Sequence, residues 1–148
     1  MGARTVFLDT NIFVYAVLAS EPLKRAKAVE LIETSLGSGR GCISYQMVQE
    51  FADVARKKFA TCLSANDCKA FIDAAMQPLM RVASKTELVH TAMNLQHELN
   101  YSFYDCLMIA AALEAGADTS YTENLQHRQL VHGTLRIVNP FLGVVHEV

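Results

Sequence analysis

The chain is short of the features that most quickly assign a protein. No apolar run approaches the ~18 residues that a membrane-spanning helix needs. A charge at Arg4 and the start of an apolar run at Val6 leave no room for a signal-peptide core. The expectation is a cytoplasmic protein without a membrane segment. Cysteines stand at 42, 62, 68 and 106, with no pair at zinc-knuckle spacing. They read as small, reduced core residues. There is no HExxH among the five histidines, and His127 and His132 lack a second pair and read as loop residues. The nucleophile elbow G-x-S-x-G is absent. The stretch Gly37-Ser38-Gly39-Arg40-Gly41 follows a helical segment and precedes a strand, the wrong order for a dinucleotide cradle. Net charge is only −2, which excludes a strongly basic nucleic-acid binder but not a local basic patch. Two such patches exist, Lys24-Arg25-x-Lys27 and Arg56-Lys57-Lys58, each read first as a solvated helix face.

What is present is a hydrophobic chain of 148 residues, 51% apolar and 19% charged. That suits a single folded domain spanning 1–148, with no repeat or obvious linker. Short apolar runs at 4–8, 42–43, 79–82, 119–122 and 136–138 read as strands. Between them lie helical segments: 11–19, 22–36 with Pro22 in its first turn, and 44–59 with Ser44 as cap. Three more follow: one opened at Ser64 and ended by Pro78, then 86–99, then one from Ser102 to Gly116. The alternation predicts an α/β fold: a central parallel sheet of about four to five short strands flanked by helices.

Acidic residues fall where strands end. Asp9 follows Val6-Phe7-Leu8 directly, within Asp9-Thr10-Asn11. It reads either as a helix N-cap or as a ligand at the carboxyl edge of the sheet, where open α/β sheets bind. An acid after three large apolar residues is costly unless paired or bound to a cation. Asp105 sits at capping-box spacing from Ser102, but it also opens the very apolar helix Cys106–Leu113 that must lie near the strand ends. Glu50 falls just outside the apolar arc of Val48, Phe51, Ala52, Ala55 and Phe59, and reads as solvated or functional. Glu123 and Asn124 follow the strand at 119–122. Three acids on separate segments suggest a site for a divalent cation.

Four stretches then bear on family: FLDTNIFVYA, CISYQMVQEFADV, SFYDCLMIAAALEAGAD, and YTENLQH followed by IVNPF. Their order and separations resemble the PIN-domain nucleases, in particular the VapC-type toxins of toxin–antitoxin pairs, over nearly the whole chain. The resemblance implies a three-layer PIN-like fold and a metal-dependent ribonuclease holding Mg²⁺ or Mn²⁺. It assigns Asp9, Glu50 and Asp105 as the catalytic, metal-holding acids, with Asn11, Ser44 and Thr122 as supporting polar groups. The family's fourth acid falls third in a Thr/Ser-x-Asp stretch. Here that stretch is Thr122-Glu123-Asn124, so Asn124 stands in its place, with Glu123 one residue displaced. The implied partners are an RNA substrate, contacted at Arg56, Lys57 and Lys58, a VapB-like antitoxin and a second copy of the chain.

The chemistry suits these groups. Phosphodiester hydrolysis needs an activated water and neutralised phosphate charge, which a cation supplies. Magnesium takes hard oxygen ligands, usually one or two carboxylates with several waters. Two other classes remain. A metal-free PIN-like binding or scaffold module is favoured by Asn124 and disfavoured by the three acids. A haloacid-dehalogenase-type phosphatase needs a second aspartate two residues after the first, where this chain has Asn11.

Overall fold

The computed structural model describes residues 4–60 and 63–144. Cys62 therefore lies outside the described residues. The first strand, β1 (Val6–Leu8), is central and its Phe7 and Leu8 are fully buried. It leads into α1 (Thr10–Ala16) and α2 (Pro22–Ser38), then β2 (Gly41–Ser44) and α3 (Tyr45–Lys58). Next come α4 (Ala65–Phe71), a wide π-type turn at Ile72–Met76, and a 3-10 turn at Gln77–Leu79. These deliver the chain to β3 (Met80–Val82). The second half holds α5 (Thr86–Glu98), α6 (Phe103–Glu114), β4 (Thr119–Tyr121), β5 (Leu130–Val131) and β6 (Leu135–Val138).

The sheet has six strands in the order β3-β2-β1-β4-β6-β5. All pairings are parallel except β5 with β6, so the expected parallel sheet of four to five strands gains a short antiparallel edge. Helices flank it: α1 packs on α2 and α3, and α5 packs on α6. The order of strands reverses at β1. From there the chain moves outward to β2 and β3, then returns to place β4 on the other side of β1. Such a switch point opens a crevice outside the carboxyl ends of the two central strands.

Local signals explain most boundaries. Ser64 and Asp67 form a reciprocal capping box at the start of α4, each side chain meeting the other's backbone amide. The end of α6 is a Schellman turn, in which Gly116 adopts φ +68° while its amide reaches Leu113 O and that of Ala117 reaches Ala112 O at 3.0 Å. At the start of β2 the backbone passes close to α2. A Cβ on Gly41 would stand 2.3 Å from the Ser35 Cβ, so only glycine fits there. No described helix is long and apolar enough to cross a membrane.

Candidate active site

The switch point holds the acids. The register pairs Leu8 with Tyr121, and the Asp9 amide donates to the Tyr121 carbonyl at 3.0 Å. One step further, Thr122 lies beside Asp9, and its Oγ1 donates to Asp9 Oδ2 at 2.6 Å. Asp9 Oδ1 accepts from the Thr10 amide at 2.6 Å, so the carboxylate caps α1 while facing the sheet edge. Capping α1 therefore does not take Asp9 away from the sheet edge, and it still lines the cleft there.

Asp9 is buried, only 8% exposed. Burial pushes its carboxyl up to about 6. The hydrogen bonds from Thr122 and Thr10 oppose that rise, and the charges of Glu50 and Asp105 add to it. Both other acids thus lie within electrostatic reach of Asp9. All three line one cleft of about 710 Å³ together with Thr10, Asn11, Tyr15, Asp53, Lys58 and Asn124.

Glu50 reaches the cleft from the flank of α3, whose Met47, Phe51 and Ala55 are buried. Its carboxylate is held at both oxygens. Thr10 Oγ1 donates to Oε2 at 2.8 Å, and Gln46 Nε2 donates to Oε1 at 2.7 Å. Asp105 lies in the first turn of α6, where Ser102 Oγ accepts from the Asp105 amide at 3.2 Å. The expected capping box is thus half made: Ser102 caps, while the Asp105 carboxylate lines the cleft.

Glu123 and Asn124 part company after β4. Glu123 turns to Lys24, 2.7 Å from Oε2, and to the Tyr15 hydroxyl, 2.5 Å from Oε1. Asn124 lines the cleft, its amide held 3.2 Å from Thr122 Oγ1. Ser44 is placed differently from the expectation. It stands at the N-cap of α3, but its hydroxyl makes no capping bond and lines a smaller cavity with Gln46. The basic patch at 56–58 also divides. Lys58 lines the cleft, while Lys57 pairs with Asp53 at 2.9 Å and Arg56 donates to the Leu63 carbonyl. Two contributors escaped the sequence reading. Thr10 lay inside the quoted Asp9-Thr10-Asn11 motif, and Gln46 lies one helical turn before Glu50, the i,i+4 spacing that brings side chains together.

Cys42, Cys68 and Cys106 are free and buried, and burial pushes the Cys42 thiol up to about 11, as suits an inert core residue. His127 Nδ1 accepts from the Asn139 amide, and His132 pairs with Glu98. Both act in the loops around β5.

Comparison with known proteins identifies the family. The sequence profile of the PIN domain matches residues 6–131. The chain belongs to the PIN-domain family. No curated protein matches it significantly in sequence. Its fold is shared with a chain of a toxin–antitoxin complex from Klebsiella pneumoniae, at a TM-score of 0.66, 17% identity, and coverage of 92% of this chain and 98% of that one. A DNA-bound VapBC from Salmonella typhimurium matches at 0.65 with 21% identity, covering 91% and 97%. VapC20 of Mycobacterium tuberculosis, a sarcin–ricin-loop-cleaving toxin, matches at 0.56 with 16% identity, covering 78% and 87%.

In this PIN domain the cleft is rich in hard oxygen donors, the chemistry a divalent cation takes. It offers carboxylate oxygens from Asp9, Glu50 and Asp105, and amide oxygens from Asn11 and Asn124. Both side-chain polar atoms of Asn11 are buried without a hydrogen-bond partner, an expensive arrangement for a group lining a cleft. The desolvated Asp9 likewise has no cation among its described partners. Among the described residues no three His, Cys, Asp or Glu side chains stand close enough together to hold a metal ion by themselves.

Proposed function

We propose that this PIN domain is a metal-dependent endoribonuclease that hydrolyses RNA phosphodiesters with Mg²⁺ or Mn²⁺. We propose further that it is the toxin of a type II toxin–antitoxin pair. The observation that carries the reading is the convergence of Asp9, Glu50 and Asp105 on one cleft at the switch point of the sheet. A divalent cation, when bound, neutralises phosphate charge and makes water a better nucleophile. The chain's own part is to hold and orient. Asp9, Glu50 and Asp105 hold the ion, and Asn124 adds an uncharged oxygen or a hold on water. Thr122 and Thr10 fix the carboxylates of Asp9 and Glu50 through their hydroxyls. Asn11 is the further polar group of the cleft, while Ser44 lines the smaller cavity behind Gln46. Lys58, at the cleft, meets the RNA phosphates, with Arg56 and Lys57 on the same helix extending the track.

The toxin assignment is supported by the fold shared with toxin–antitoxin proteins. Its partners are an RNA, a VapB-like antitoxin and a second copy of the chain, and its place is the cytoplasm. A second reading, a catalytically weak PIN-like binding module, is favoured by one feature, Asn124 where the resemblance expects an acid.

RNA cleavage decides between them. Protein free of other nucleases should cut RNA with Mg²⁺ or Mn²⁺ and stop with EDTA. Cleavage by Asp9→Asn at the wild-type rate would overturn the assignment of the site.

A further inference from the structure

The amide of Gln46 has only one possible orientation. Its Nε2 lies 2.7 Å from Glu50 Oε1 and 3.0 Å from the Tyr104 carbonyl oxygen. Both partners are acceptors, so only the NH₂ group can serve them, and its two hydrogens are both used. One bond goes to an acid of the cleft. The other goes to the backbone of α6 one residue before Asp105, a second acid of the cleft. Gln46 therefore ties Glu50, on α3, to the turn that carries Asp105.

The opposite end of the amide is equally informative. Gln46 Oε1 and Ser44 Oγ are both buried without a hydrogen-bond partner, and the two residues line the same cavity of about 80 Å³. Gln46 is 9% exposed and Ser44 4%. Ser84 and Lys85 also line this cavity, and Leu88 and Ala111 close it. The lining is mostly apolar, but a space of that size, with two unpartnered polar atoms at its wall, has room for roughly two waters. A water there can donate to Gln46 Oε1 and bond Ser44 Oγ, satisfying both atoms.

We infer that Gln46 is the positioning residue of this site: it sets the separation of Glu50 and Asp105, and water in the Ser44–Gln46 cavity holds its amide in register. This rests on the metal-dependent reading of the cleft. Glu50 is then fixed from two sides, by Thr10 of α1 and by Gln46 bridging to α6. Its rotamer is set before any ligand arrives. Groups that orient ligands in this way commonly change metal affinity or activity 10–100-fold when removed.

The test uses the full chain and Mn²⁺ alone as probe, titrated by calorimetry, beside RNA cleavage resolved into kcat and KM. Gln46→Met keeps the length and removes the donors. It should weaken Mn²⁺ binding about tenfold and lower kcat by a similar factor. The melting temperature should fall by a few degrees as two hydrogen bonds are lost, but KM for RNA should stay near wild type, a split from kcat that a merely structural residue would not give. Ser44→Ala should shift Mn²⁺ affinity in the same direction by less, and a crystal structure should place water between residues 44 and 46. If Gln46→Met does not fold, Gln46→Asn, polar but too short to bridge, is read by the same criteria. A folded variant with wild-type Mn²⁺ affinity and kcat overturns the role of Gln46 alone. A wild-type protein that binds no Mn²⁺ overturns this inference together with the metal reading beneath it.

Discussion

Lys24 Nζ and Glu123 Oε2 stand 2.7 Å apart, and the Tyr15 hydroxyl closes the group against Glu123 Oε1 at 2.5 Å. The lysine also lies 4.8 Å from the centre of the Tyr15 ring. This pair anchors the segment after β4 to α1 and α2. It holds Glu123 away from the cleft that Asn124 lines. Glu123→Gln is expected to cut RNA within about threefold of wild type. Its cost should appear as stability, on the order of 1 kcal/mol for a partly buried pair, or roughly 2–4 °C in melting temperature. Cleavage lost as completely as in Asp9→Asn would make Glu123 the fourth acid instead.

Asp9 gives a prediction with a sign. Its carboxyl is raised from 3.8 to about 6, so the folded state binds this proton more tightly than the unfolded state. The contribution of Asp9 is most favourable below about pH 4 and is lost as pH rises through about 6. The full penalty at neutral pH corresponds to roughly 3 kcal/mol. Asp9→Asn removes the charge and keeps the shape. It should melt several degrees above wild type at pH 7.5 without metal, and the gap should close by pH 4. Mg²⁺ should narrow the gap at pH 7.5 by stabilising the wild type alone. Equal melting temperatures at pH 7.5 in EDTA would show that Asp9 carries no such burial cost.

Much of this was legible in the sequence because the signals are local. Continuous apolar runs gave five of the six strands, and Ser64, Ser102 and Gly116 marked helix ends that the structure keeps. The missed strand, β5, is two residues long and pairs antiparallel with β6 across the turn at Gly133. Two residues carry no periodicity. Site details were hidden for a different reason. Whether Asp105 completes its capping box, or Ser44 its cap, depends on what packs above the helix start. The bond from Thr10 to Glu50 joins residues 40 apart in sequence, and no spacing rule reports it.

Expression without a partner should arrest growth of the host, and a small antitoxin should restore it. The cleft is lined by four acids, Asp9, Glu50, Asp53 and Asp105, against Lys58. An arginine or lysine of the antitoxin placed there would occupy the position of a cation. Mutating that basic residue should weaken inhibition of cleavage more than it weakens binding. A pull-down from the native host that recovers no small partner would count against the toxin reading.

Self-association is expected from the 51% apolar composition and from the family resemblance. On α5 the exposed Val89 and Met93 lie one turn apart, an apolar face available to a second copy. Surfaces carry much apolar area in any case, so the measurement decides. Light scattering at micromolar concentration should give twice the chain mass, and a monomer would remove the claim.

The last prediction concerns Asn124. Asn124 lines the cleft while its backbone N–H donates to Thr122 Oγ1, the same hydroxyl that donates to Asp9. A residue so placed can add a ligand without adding charge. Asn124→Asp would supply a further carboxylate at nearly the same volume. Sites for hard cations gain affinity with ligand charge, so the Mg²⁺ or Mn²⁺ needed for half-maximal cleavage should fall, by about tenfold. The same change adds a carboxylate to a cleft already crowded with them. Without metal the variant should therefore melt below wild type, and with metal the order should reverse. Asn124→Ala should cost less activity than Asp9→Asn, because no charge is lost. An Asn124→Ala protein as inactive as Asp9→Asn would make the amide itself essential. An Asn124→Asp protein with unchanged metal requirement would place residue 124 outside the ligand set.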